Sequence, residues 1–130
     1  MYIESPKKTI DKSPETIFNF LIDVNNYKQL MPDSISKFEI LSDKRFLFAL
    51  KGMPDIVLEL KNSVPFNKVV LGAASEKLPF TLTANIKELT EKSSEAYFEF
   101  EGEFNAMMSM MIKGPITKFI QTLTENLQKI

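Results

Sequence analysis

Along most of this chain apolar residues recur at every second position, and only near its two ends does the spacing lengthen to that of a helix. Residues 2–11 read as a first strand. SPET at 13–16 then offers Ser13 as a helix N-cap, Pro14 at the first helical position, and Glu15 and Thr16 in the first turn. Ile17, Phe18, Leu21 and Ile22 follow at helical spacing. Asp23 can cap a second short helix through VNNYKQLM, which Pro32 ends.

From residue 35 the period is two. Six runs rich in β-formers succeed one another: ISKFEIL, RFLFALK, DIVLELKNSV, KVVLGAAS, FTLTANIKELT and SEAYFEFEGEF. The breaks between them, at 42–44, 52–54, 65–67, 76–79 and 91–93, are short enough to join antiparallel neighbours. With the first strand they make a seven-stranded meander.

Alternation assigns faces. In the last strand Ala96, Phe98, Phe100, Gly102 and Phe104 share one side, and Glu95, Tyr97, Glu99, Glu101 and Glu103 the other. The same parity turns Phe80, Leu82, Ala84 and Ile86 inward, with Ile56, Leu58 and Leu60, and with Phe46, Phe48 and Leu50. KVVLGAAS is apolar or small on both faces and leaves its parity open.

The segment PITKFIQTLTENLQKI places Ile116, Phe119, Ile120, Leu123, Leu127 and Ile130 on one helical face. Lys113-Gly114-Pro115 is either the start of that helix or a kink within a longer one, and the kink is the expectation. Ahead of it lies MMSMMIKGP at 107–115, with four methionines in five positions.

Seven strands at ~4.8 Å spacing span roughly 30 Å, whereas a helix with its side chains is ~10–12 Å across. One helix cannot cover so wide a flat sheet, so the sheet must curl around it, and the two short helices close one end. Curling of this kind leaves volume between the concave face and the helix. In a meander alternate loops share an end, which brings Gly52, Met53 and Pro54 beside Leu78 and Pro79 and near the methionine run. Methionine adapts to irregular apolar contacts, which suits the rim of a cavity; ordinary core filling is the rival account.

At 130 residues the chain fits a single domain, 1–130, able to bury roughly two thirds of its unfolded surface. Hydrophobic residues at 44% and charged residues at 25% place it among globular proteins. A net charge of -1 with no basic stripe argues against nucleic acid as a partner. No run approaches the ~20 apolar residues of a membrane span, and MYIESPKKTI lacks a signal-peptide core, so no stable membrane insertion and a cytoplasmic location are expected. There is no cysteine and no histidine, which excludes disulfides, thiolate chemistry and zinc-cysteine sites.

The order of elements, with SPETIFNFLIDVNNYKQLMP at 13–32, resembles the START-like (SRPBCC) superfamily, which includes polyketide cyclases, the birch pollen allergen and coenzyme Q-binding proteins. The resemblance covers nearly the whole chain. It implies an α+β helix-grip fold, with a curved antiparallel sheet wrapped around a long C-terminal helix, and a hydrophobic ligand held between them. Gly52-Met53-Pro54 is similar to the Gly-Leu-Pro gate loop of plant hormone receptors in that superfamily. The chain departs from several relatives in having neither tryptophan nor histidine.

The leading expectation is a binding or transport protein for a small hydrophobic or amphipathic molecule such as a lipid, isoprenoid or polyketide. Its pocket is expected to be lined by Phe46, Phe48, Leu58, Phe80, Leu82, Phe98, Phe100, Met108, Met111, Ile112 and Phe119. An alternative is a polyketide cyclase-like enzyme, which needs an ionisable group in the pocket although every assigned inward position is apolar, Gly or Ala. Asp33, Asp55 and Lys113 could orient a polar head group from the mouth, and Tyr27 could send its hydroxyl inward; surface charge and a core tyrosine with its tip in water are the plainer readings. A further alternative is a protein-interaction module with a filled cavity. Glu99, Glu101 and Glu103 read as a solvated face. No catalytic residue, metal site or cofactor is indicated, and oligomeric state is left open, a homodimer included.

Overall fold

A computed structural model of the chain describes residues 1–74 and 79–130. Among these residues eleven elements follow one another: β1 (Tyr2–Glu4), β2 (Lys8–Ile10), α1 (Pro14–Leu21), a 3-10 helix (Val24–Leu30), β3 (Ile35–Ser42), β4 (Arg45–Leu50), β5 (Ile56–Val64), β6 (Lys68–Ala73), β7 (Phe80–Thr90), β8 (Ser93–Gly102) and α2 (Ala106–Leu127). The strands form one antiparallel sheet in the order β1-β8-β7-β6-β5-β4-β3, with β2 also paired to β8. The architecture is α+β, a curved sheet gripping one long helix.

The expected first strand is broken in two. Glu4 pairs with Glu99 and Lys8 with Ala96, so three residues on one side face two on the other. Pro6 cannot donate to the ladder, and Ser5 takes over: its N–H donates to the Phe98 carbonyl at 2.9 Å and its hydroxyl accepts from the Phe98 N–H at 2.9 Å. The same hydroxyl lies 2.8 Å from Thr124 Oγ1, which ties this sheet edge to α2.

Ser13 caps α1, accepting from the Thr16 N–H at 3.1 Å, and Asp23 caps the next segment from the Asn25 N–H at 3.0 Å. That segment is the second short helix, wound as 3-10. Tyr27 within it is wholly buried, and its hydroxyl donates to the Leu21 carbonyl at 2.8 Å, satisfying the end of α1. The tyrosine tip therefore reaches neither water nor the ligand space. Burial pushes its ionisation above the ordinary tyrosine range.

Between β5 and β6 the turn Val64-Pro65-Phe66-Asn67 closes with Asn67 N–H donating to the Val64 carbonyl at 3.0 Å, and Phe66 adopts φ 62°. A positive φ at that position usually calls for glycine. Here the phenylalanine ring meets Phe18 of α1 edge-on at 5.7 Å. Parity in β6, open from the sequence, is set by its neighbours: Leu71 pairs with Leu60 and Leu82, and Val69 with Ala84, so Val69 and Leu71 face the core.

α2 is one helix running through Pro115, as the kink expectation required in length, so Lys113-Gly114-Pro115 is not its start. Its two halves differ. Every buried residue, Ile116, Phe119, Ile120, Leu123, Thr124 and Leu127, comes after the proline, whereas Met107, Met110 and Met111 ahead of it are exposed. Among the described residues no helix is long and apolar enough to cross a membrane.

Candidate functional site

Where the buried half of α2 lies, the trough of the sheet is filled. Phe46 is buried beneath Tyr27, with ring centroids 5.1 Å apart, and against Phe38 at 5.5 Å. Phe98, one inward position deeper on β8 than Phe100, is 1% exposed. Both were expected in the pocket and neither lines it, because the short helices and the carboxyl-terminal half of α2 occupy that end.

Toward the other end the filling stops. A cavity of about 260 Å³ lies between the sheet and α2. Phe48, Leu58, Phe80, Leu82 and Phe100 line it from four strands, and Phe119 from α2. Met108, Met111 and Ile112 contribute from the exposed half of the helix, so the methionine run both borders the cavity and meets solvent. Gly52, Met53 and Pro54 form part of the lining on the β4–β5 side. Leu78 lies outside the described residues, and Pro79 faces a shallow groove with Arg45 and Glu59 rather than this cavity.

Sequence reasoning did not place Ile56, Phe104 or Ile116 in the lining, although all three are there, and Asp55, considered for the mouth, lines the cavity as well. Parity had already turned Ile56 and Phe104 inward, and helical spacing had put Ile116 on the buried face. The missing step was where along each element the filled region gives way to the hollow.

Five phenylalanines stand in the wall among aliphatic and methionine side chains. Phe48 stacks on Phe119, with centroids 5.0 Å apart and planes at 8°. Phe100 sits between Phe80 at 5.1 Å and Phe104 at 6.1 Å. The β4–β5 loop is held by a turn in which Met53 N–H donates to the Leu50 carbonyl at 2.9 Å and Gly52 adopts φ 83°, a conformation that favours glycine.

This arrangement can be set beside known proteins. No family model matches the chain, and no curated protein matches it. Solved structures do. A START superfamily protein from Mycobacterium smegmatis superposes with a TM-score of 0.71 at 13% identity, covering 98% of this chain and 94% of that one. The chain has the START-like helix-grip fold. Norcoclaurine synthase from Thalictrum flavum, solved in complex with dopamine and hydroxybenzaldehyde, gives 0.73 at 10% identity over 99% of this chain and 84% of its own. A conserved protein from Geobacillus kaustophilus gives 0.68 at 14%, with 99% and 93% covered.

Within this START-like chain Asp55 is the single charged residue lining the cavity among the described residues. Its carboxylate pairs with Lys37 Nζ at 3.1 Å, and both side chains are about half exposed at the rim. Asp33 and Lys113, the other mouth charges considered, do not line the cavity. Among the described residues no cluster of three or more acidic side chains could hold a metal ion. Of the outward carboxylates of β8, Glu99 engages neighbours, accepting from the Tyr2 hydroxyl and from the Asn85 amide. Chemically the site can shelter carbon from water, and at one point on its rim it can accept a hydrogen bond.

Proposed function

We propose that the protein binds a small hydrophobic or amphipathic molecule in the cavity between the sheet and α2. The observation that carries this reading is an apolar void of about 260 Å³ in which, among the described residues, Asp55 is the one charged lining residue. An enclosed apolar cavity left unfilled costs stability, on the order of 24 cal/mol per Å³ in engineered cases, and a guest that fills such space recovers part of that cost. Burial of ligand carbon supplies affinity at ~25 cal/mol per Å² before ordering costs. The relatives' fold supports the same reading, since norcoclaurine synthase was solved with two small aromatic molecules bound.

Phe48, Leu58, Phe80, Leu82, Phe100, Met108, Met111, Ile112 and Phe119 would contact the guest, with Gly52, Met53 and Pro54 bordering its entry. The location proposed for this activity is the cytoplasm. The experiment is to incubate the purified protein with a total lipid extract and identify retained species by native mass spectrometry. A discrete apolar species bound one to one supports the reading, and recovery of ligand-free protein throughout overturns it.

One observation favours a catalytic version. Asp55 is an ionisable group in the lining, the feature a cyclase-like enzyme requires. Asp55→Asn separates the two: a binding protein keeps its affinity for apolar guests, and an enzyme loses turnover of whatever substrate is identified.

A further inference from the structure

One wall of the cavity rests on a glycine. Gly102, at the end of β8, has no side chain, and a Cβ built there would lie 2.7 Å from Phe104 Cε2 and 2.8 Å from Phe80 Cβ. Real Cβ atoms do not approach so closely, so the glycine is what allows the Phe104 ring to fold back along the strand end. The ring then lies nearly parallel to Phe100, at 8° and 6.1 Å, and forms part of the cavity lining just ahead of Met108.

We infer that Phe104, seated on Gly102, sets the upper size of the guest, and that the native ligand is a compact apolar molecule of one or two rings or a short chain. The inference rests on the binding reading above and adds the ligand class and the residue that determines it. Size follows from volume: a 150 Å³ apolar cavity holds benzene, or about 25 Å³ per carbon, so the void here takes roughly ten carbons. Long acyl chains and four-ring skeletons exceed that. The Phe104 phenyl group occupies about six carbons' worth of the same space by this measure.

The test uses the intact protein and 1-alkanols from hexanol to hexadecanol, titrated by calorimetry. In the wild type each added methylene tightens binding about fourfold until the cavity is full, and the gain stops at about ten carbons. Phe104→Ala moves that break upward by about four to six carbons. Phe104→Leu, which keeps an apolar side chain over Gly102, moves it in the same direction by less, and Phe104→Trp moves it down. Thermal melts of each variant without alkanol establish that the fold is intact, and the leucine variant decides the matter should the alanine variant not fold. A break that stays at the same length in all three variants overturns the role of Phe104 while leaving binding in place. A wild type that binds no alkanol overturns the binding reading itself.

Discussion

Leu82 is 2% exposed and lies on the floor of the cavity, so enlarging it distinguishes a hollow from a packed core. Phenylalanine at this position adds about three carbons. In a well-packed interior such an addition forces neighbours aside and costs ~1–3 kcal/mol. Directed into empty space the same carbons leave water in the unfolded chain and find contacts in the folded one, a gain of at most ~2.4 kcal/mol at ~0.8 kcal/mol per carbon. Lost side-chain freedom and imperfect fit reduce this to about 1 kcal/mol. With a urea m-value of about 1–3 kcal/mol/M, the unfolding midpoint of Leu82→Phe should rise by roughly 0.3–1 M. Ala96→Leu adds a similar amount of carbon at a site 1% exposed on the filled side, and it should lower the midpoint instead. Opposite signs for the two variants are the prediction. If Leu82→Phe destabilises as Ala96→Leu does, the space beneath α2 is not free to accept carbon and the reasoning fails.

Other predictions concern the surrounding framework. The folded-state ionisation of Tyr27 is raised by burial, so its contribution to stability is full below the unfolded tyrosine value near 10 and is lost as pH rises beyond it; denaturation curves from pH 7 to 11 should show that fall, and Tyr27→Phe should lessen it. Ser5→Ala leaves the buried Phe98 N–H without its acceptor and cuts the link to Thr124, at a cost of about 1–3 kcal/mol read from chemical unfolding. A Cβ at Gly114 would meet nothing within 4 Å, so Gly114→Ala should stabilise α2 by about 1 kcal/mol, seen as a higher melting temperature.

Much of the fold is legible in the sequence because two periods are cleanly separated. Strict alternation assigns Phe46, Phe48, Leu82, Phe98 and Phe100 to the inner face, and every one of them is buried. The capping residues Ser13 and Asp23 are equally local signals, and they act as read. Alternation does not say how far along a strand the helix above it fills the trough. That depends on where α2 changes from its exposed to its buried half, at Pro115, and on the short helices that bring Tyr27 onto Phe46. Phe46 and Phe98 were therefore grouped with the cavity although their inward side chains belong to its filled neighbour. The break at Pro6 was missed for a related reason: a serine hydroxyl replacing a ladder partner follows from a bulge register that no pattern within residues 2–11 displays. Phe104 was turned inward by the same alternation, but its place in the lining, beside Gly102, depends on where the hollow begins.

Whether void exists beneath α2 can be measured without knowing any ligand. Apolar cavities of this kind take up xenon, and crystals of the protein held under xenon pressure would show where. The account predicts xenon bounded by Phe48, Phe100, Phe104 and Phe119, and none among Tyr27, Phe46 and Phe98. Crystals in which no xenon enters beside Phe119, or in which it collects around Phe98 instead, would contradict it.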